Sequence, residues 1–153
     1  MVRLSDLAQA ERDHLINLPC PKFDTQPWAE GPPISERRVA VISTAGLQRR
    51  DDRPFSRGDA GYHVFHRDTP PDEIVMSHIS VNFDRSGFQQ DFNVVFPVER
   101  LKEMAADGEI GSVADFGYSF MGATDPEQME PLVREIAGFL KEDQVNAVLL
   151  APV

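Results

Sequence analysis

Two apolar runs and the segment between them constrain this fold more than any other part of the chain. Arg38-Val39-Ala40-Val41-Ile42-Ser43-Thr44 is continuous, β-branched and apolar, the pattern of a strand covered on both faces. Gln144-Val145-Asn146-Ala147-Val148-Leu149-Leu150-Ala151-Pro152-Val153 reads the same way. Asp125-Pro126-Glu127-Gln128 matches a capping box with proline at the first helical position. Leu132, Val133, Ile136, Ala137 and Leu140 then supply the buried stripe of a helix that Pro131 kinks or restarts. Strand, crossover helix and strand in this order predict parallel pairing, because parallel neighbours need a long connection.

The expected fold is therefore α/β, a three-layer sandwich with a mainly parallel sheet of Rossmann or flavodoxin-like type. Reactive groups in such sheets lie just past the carboxyl ends of the strands. A sheet whose final strand runs to Val153 is then expected to be incomplete at its C-terminus. Residues 1–36 read as an N-terminal helix and proline-rich arm, and residues 37–153 as the α/β domain. In the arm, Ser5 to Asn17 reads as a helix with Ser5 as N-cap. Pro19, Pro21, Pro27, Pro32 and Pro33 exclude regular structure after it, and Trp28 is expected to pin the arm to the body. A long polar loop runs from Gln48 to Gly61. Tyr62 to His66 and Asp72 to His78 read as short strands, Pro97 to Ala106 as a helix ended by Gly108, and Val113 to Phe120 as a loop or short strand.

A net charge of −10 argues against nucleic-acid or anionic-membrane binding, both of which need a basic surface. The arginines at 49, 50, 53 and 57 read as a solvated loop or, alternatively, a local site for an anionic group. No apolar run approaches the about 18–20 residues that span a bilayer, and the N-terminus lacks the apolar core of a signal peptide. With Cys20 alone, no intrachain disulfide or cysteine zinc cage forms. A cytoplasmic location is expected.

Ser77-His78-Ile79-Ser80-Val81-Asn82-Phe83-Asp84-Arg85 gathers an imidazole, an amide, a carboxylate and a guanidinium directly after an apolar run. Such a set either orients a small zwitterion and moves a proton, or makes turn and capping contacts. Gln89, Gln90, Asp91 and Asn93 carry the same two readings. Gly46, in Thr44-Ala45-Gly46, lets backbone approach a ligand at a strand end. No dinucleotide fingerprint or Walker loop occurs, and neither Ser43 nor Ser119 sits in a nucleophile elbow. His63 and His66, with Asp59 or His78, have metal-ligand chemistry, but positions i and i+3 of a strand face opposite sides, and no metal site is expected. Cys20 reads as a connector residue or an exposed redox thiol.

Six segments in order carry a resemblance. They are Arg38 to Leu47, Pro54-Phe55 with Gly58-Asp59, Ser77-His78, Asp91-x-Asn93-x-Val95-Phe96-Pro97 with Gly108-Glu109-Ile110-Gly111, Tyr118-Ser119-Phe120-Met121-Gly122, and Ala147 to Val153. From about Arg37 onward the chain resembles the selenoprotein B family of glycine, sarcosine, betaine and D-proline reductases. The resemblance implies reductive C–N bond cleavage of a small amino acid or betaine-type substrate, with a disulfide as acceptor. It places a selenocysteine or cysteine nucleophile just after Val153, so the chain as it stands lacks that residue. No cofactor is expected within these residues; a pyruvoyl group is expected, if anywhere, on a partner. Partners implied are a small-molecule substrate and a thiol or selenol redox protein or other reductase subunit. With the pocket at the carboxyl ends of the strands, His78 and Asp84 are expected to serve catalysis, and Thr44, Gly46, Asn82, Asp91, Asn93, Tyr118 and Ser119 substrate binding. Ser80 stands where relatives often carry a second histidine. An uncovered final strand favours a homo-oligomer. The rival readings are a non-catalytic module binding a small ligand or a partner, and a metal enzyme using His63, His66 and His78.

Overall fold

A computed structural model describes residues 3–19, 22, 24, 26–80 and 85–153. The central strand is β1 (Arg38–Ser43). On one side it pairs in parallel with β7 (Ala147–Ala151), from Val39↔Ala147 to Ser43↔Ala151. On the other side it meets a strand broken in two, β5 (Ser112–Val113) and β6 (Phe116–Phe120). Residues 38 and 39 face 112 and 113, whereas 42 and 43 face 118 and 119, two residues further on. Ala114 and Asp115 thus form a bulge, which bends the strand and re-aims its side chains. β3 (Tyr62–His66) closes that side antiparallel to β6. A separate antiparallel pair, β2 (Leu47–Arg49) and β4 (Ile74–Met76), follows β1 directly.

Alternation along the strands divides the core into two layers. Val39, Val41, Phe65 and Val113 face Phe88 of the short helix α2 (Ser86–Gln90), Phe92, Val95, Phe96 and the helix α3 (Val98–Ala106), which contributes Val98 and Leu101. A Cβ on Gly117 would lie 2.6 Å from the Phe96 ring, so the missing side chain is the space the ring occupies. On the other face Ile42, Tyr62, Tyr118 and Phe120 meet Met129, Ile136 and Leu140 of α4 (Pro126–Glu142). The fold is the expected three-layer α/β arrangement with a mainly parallel sheet. No helix among the described residues is long and apolar enough to cross a membrane.

Several expectations need correction. The helix α1 (Gln9–Ile16) begins later than expected, is preceded by a short 3-10 turn at Leu4–Asp6, and has Ala8 rather than Ser5 at its N-cap position. None of its residues is buried, and Trp28, 87% exposed, pins nothing. The Asp125 carboxylate accepts from the Glu127 N–H, and α4 runs through Pro131 uninterrupted. Only Ile136 of its apolar stripe is buried; Val133 is exposed. The cause is where the helix sits: its core partners lie on β3, β6 and β1, and none on β7. β7 is consequently open on both faces, with Val148, Leu149 and Leu150 exposed, Leu150 to 67%. Its composition is that of a covered strand, but the described elements cover little of it.

Candidate functional site at the carboxyl ends of the strands

β1 leaves the sheet through a turn whose backbone N–H groups, from Thr44 to Leu47, are all bonded. The buried Ser43 hydroxyl accepts from the Ala45 N–H at 3.2 Å. Gly46 has φ +65°, donates its N–H to the Phe120 carbonyl at 2.8 Å and accepts from Ser77 N–H at 2.9 Å. A Cβ there would stand 2.9 Å from the Cα of His78. Both the positive φ and the close approach require glycine. The sequence thus brings Gly46 and His78, far apart along the chain, into backbone contact.

His78 is 4% exposed. Its Nδ1 accepts the Ser80 N–H at 3.1 Å, which puts the ring proton on Nε2, and its carbonyl accepts from the Arg85 guanidinium. Burial, and secondarily the Arg85 charge, hold its pKa below the ordinary histidine value, so the imidazole is neutral. An unfolded chain takes up the proton near pH 6.5 while the folded one resists it. Stability from His78 is therefore present above that value and is lost as pH falls through the lower folded pKa. Urea unfolding between pH 7.5 and 4.5 (about these limits) should show a steeper loss for the native protein than for His78→Asn. Parallel profiles would show that the imidazole titrates freely.

Opposite this pair, Thr44 and Gly122 form a cradle. Thr44 donates its N–H to the Ala151 carbonyl at 3.1 Å. Its hydroxyl accepts the Val153 N–H at 2.9 Å and reaches the Val153 carbonyl at 3.4 Å. Gly122, at φ +83°, lies so close that a Cβ would fall 2.4 Å from the Thr44 carbonyl oxygen. Thr44, Gly46, His78, Gly122 and Val153 are thereby joined at the carboxyl ends of β1, β6 and β7, where open α/β sheets place their chemistry.

The remaining expected site residues are distributed otherwise. Ser119 is fully buried and its hydroxyl accepts the Leu47 N–H at 3.0 Å, so it fixes the turn after β1. Tyr118, its neighbour, points to the opposite, α4-covered face. Burial first, then the nearby Tyr62 and Asp143, push its phenol up to about 12. Asp91 accepts from the Asn93 side chain and N–H, both at 2.9 Å, and these bonds lower its pKa. Asn93 in turn bonds Glu99 at 2.8 Å and accepts the Glu99 N–H at 3.2 Å, capping the first turn of α3. Asn82, Asp84 and Cys20 lie outside the described residues. His63 stacks edge-on against Phe55 and stands 3.4 Å from Asp52, and His66 packs on Phe116. Among the described residues no group of three histidine, cysteine, aspartate or glutamate side chains is placed to hold a metal. Arg49 pairs with Glu73, Arg53 with Asp59, and Arg50 bonds the Asp72 carbonyl, so three of the four loop arginines already have partners. Gly122 joins the site although the sequence marks it only as a glycine just past a strand, as at Gly46.

Comparison with known proteins gives a consistent answer. Residues 9–153 match the family described as glycine/sarcosine/betaine reductase selenoprotein B. The chain is 30% identical over 120 residues to the D-proline reductase subunit gamma of Acetoanaerobium sticklandii, covering 76% of this chain and 49% of that protein. It is 27% identical over 140 residues to the glycine reductase complex component B subunit gamma of Symbiobacterium thermophilum, covering 86% of this chain and 32% of the relative. It is 28% identical over 140 residues to the betaine reductase complex component B subunit beta of Peptoclostridium acidaminophilum, covering 87% and 32%. No solved structure matches. An α/β domain with its polar cradle at the strand ends, matched along nearly its whole length, belongs to the selenoprotein B family of reductase subunits. The chain spans about half the length of the D-proline reductase subunit and about a third of the others.

Proposed function

We propose that this chain forms the substrate-binding half of a selenoprotein-B-type reductase, with its nucleophile supplied by the position that follows Val153 in the intact protein. One observation carries the reading: the Thr44 hydroxyl holds the Val153 backbone beside Gly122, on the turn that leads to Gly46 and the buried His78. A residue attached there would project at the strand ends.

In the proposed chemistry a selenolate or thiolate gives an electron pair to a substrate carbon and the C–N pair leaves with nitrogen, which takes a proton. A thiol then takes the selenium or sulfur, the carbon leaves with its pair and is protonated, and a dithiol reduces the bond so formed. The residues of this chain prepare that step. Thr44 and Gly122 orient the backbone that carries the nucleophile. Neutral His78, its Nδ1 taken by the Ser80 N–H, acts in this reading through its Nε2–H, donating a hydrogen bond toward the departing nitrogen. A pyruvoyl group, where one takes part, belongs to a partner subunit. The open β7 supports association with further polypeptide, either another reductase subunit or a second copy of this chain.

The test is turnover by the intact protein, carrying selenocysteine or cysteine after Val153, with dithiothreitol and each of glycine, sarcosine, betaine and D-proline, with and without the partner subunits. Reductive cleavage of one of them, lowered by about 10²-fold in His78→Asn, is expected. Saturable substrate binding with no cleavage under any combination would replace this reading with a non-catalytic module.

A further inference from the structure

At the amino ends of the strands, remote from the Thr44–Gly122 cradle, a cleft of about 490 Å³ opens between β3, β6 and the last turns of α4. Phe116, Tyr118 and Phe139 wall it, and Asp115, Glu142 and Asp143 supply its carboxylates. Val64 completes the apolar side, and among the described residues no lysine, arginine or histidine lines it.

Two of its polar groups have no hydrogen-bond or ion-pair partner among the described residues. Tyr118 is 3% exposed, and its hydroxyl makes no hydrogen bond with any described residue. Glu142 makes no ion pair or side-chain hydrogen bond among the described residues. It is also the last residue of α4, where a carboxylate opposes the helix dipole. The other two carboxylates are answered from outside the cleft: Arg38 pairs with Asp115 and Asp143, and Arg67 with Asp115. Three carboxylates against two guanidiniums leave one negative charge, that of Glu142, facing the aromatic walls.

We propose that this cleft is a binding site for a small monovalent organic cation of the alkylammonium class. The alkyl groups meet the apolar walls, the positive charge lies over aromatic faces that attract it, and the Tyr118 oxygen and Glu142 carboxylate take its polar contacts. A zwitterion is disfavoured, because its own carboxylate would meet carboxylates and no lining cation. The site is therefore distinct from the one proposed for substrate and does not depend on that proposal.

Choline tests it, alongside its neutral isostere with carbon in place of the quaternary nitrogen, and betaine as the zwitterion. Amide NMR shifts are followed during titration. Choline should give a saturable shift confined to residues 115–118 and 139–143, with the neutral isostere and betaine at least about ten-fold weaker. Glu142→Gln and Tyr118→Phe, both mild enough to preserve the fold, should each weaken choline several-fold. Equal binding of the neutral isostere, no saturable shift, unchanged affinity in both variants, or shifts centred on Thr44, Gly46 and Gly122 would each overturn the assignment. The last would point instead to the cradle at the opposite end of the sheet.

Discussion

Replacing Gly122 by alanine is expected to lower the unfolding free energy by about 3 kcal/mol or more. Two costs combine. The backbone stands at φ +83°, where an L side chain is strained. The added methyl would also fall 2.4 Å from the Thr44 carbonyl oxygen and 2.9 Å from the Thr44 Cβ. These are the backbone just past β1, tied to Ala151 by the Thr44 N–H, and a side-chain root, neither of which can swing away. Relief requires β1 and β6 to separate at their carboxyl ends. Gly108→Ala is the control: φ is +76°, but nothing lies within 4 Å of the new Cβ. That variant should lose only the left-handed penalty of about 1–2 kcal/mol. Urea midpoints of the two variants separate strain from clash. Equal losses would mean that Thr44 and Gly122 are not held as closely as this geometry has them, and the seating of Val153 would then lose its support.

The sequence made the framework readable where period and punctuation agree. The unbroken apolar run in β1, proline before α3 with glycine after it, and Asp125-Pro126 before α4 each name an element by a local mechanism, and each element is present. Exposure was not readable in the same way. An apolar run reports the environment that a strand is suited to, and β7 has that composition without the neighbours. Trp28 teaches the converse: a large aromatic in a proline-rich stretch invites a docking interpretation, yet docking needs a complementary surface, which no local pattern encodes.

The site divides along the same line. Thr44 and Gly46 were readable because a parallel strand has a definite carboxyl end. Their tie to His78 depends on the β2–β4 pair, where Leu47 faces Met76, and that pairing is a long-range contact. Tyr118 and Ser119 were both expected to bind substrate, but neighbours on a strand face opposite sides, so β6 sends one to the α4 layer and the other to the turn after β1. Asp91 and Asn93 illustrate the ambiguity of polar residues before a helix, since the groups that cap a first turn are the groups that bind a polar ligand.

Arg38→Met is expected to cost about 3 kcal/mol, a loss that nothing in the local sequence announces. Arg38 opens an apolar strand, yet its side chain joins three elements. Its Nε donates to the Asp143 carbonyl at 2.7 Å, and one terminal nitrogen donates to the Val113 carbonyl at 2.8 Å. The other reaches the Asp143 carboxylate and lies 3.1 Å from that of Asp115. Asp143 closes the link by accepting the Asp115 N–H at 2.7 Å. The bulge between β5 and β6, the end of α4 and the start of β1 therefore share one guanidinium. The side chains of Arg38 and Asp143 are only 21% and 17% exposed, so methionine would leave the Asp143 carboxylate poorly hydrated and its carbonyl without the guanidinium, while the Val113 carbonyl would keep only Arg67 at 3.1 Å. Arg38→Lys should recover part of the loss, because an ammonium keeps the charge but cannot reproduce the planar fork. Arg134→Met is the reference: its pair with Glu130 is exposed on one turn of α4 and should contribute about 0.5 kcal/mol or less. Raising the salt concentration should erase the Arg134 difference and leave most of the Arg38 difference, since screening acts weakly on partly buried pairs. If Arg38→Met cost no more than Arg134→Met at either ionic strength, the bulge and the end of α4 would have to be held by packing alone.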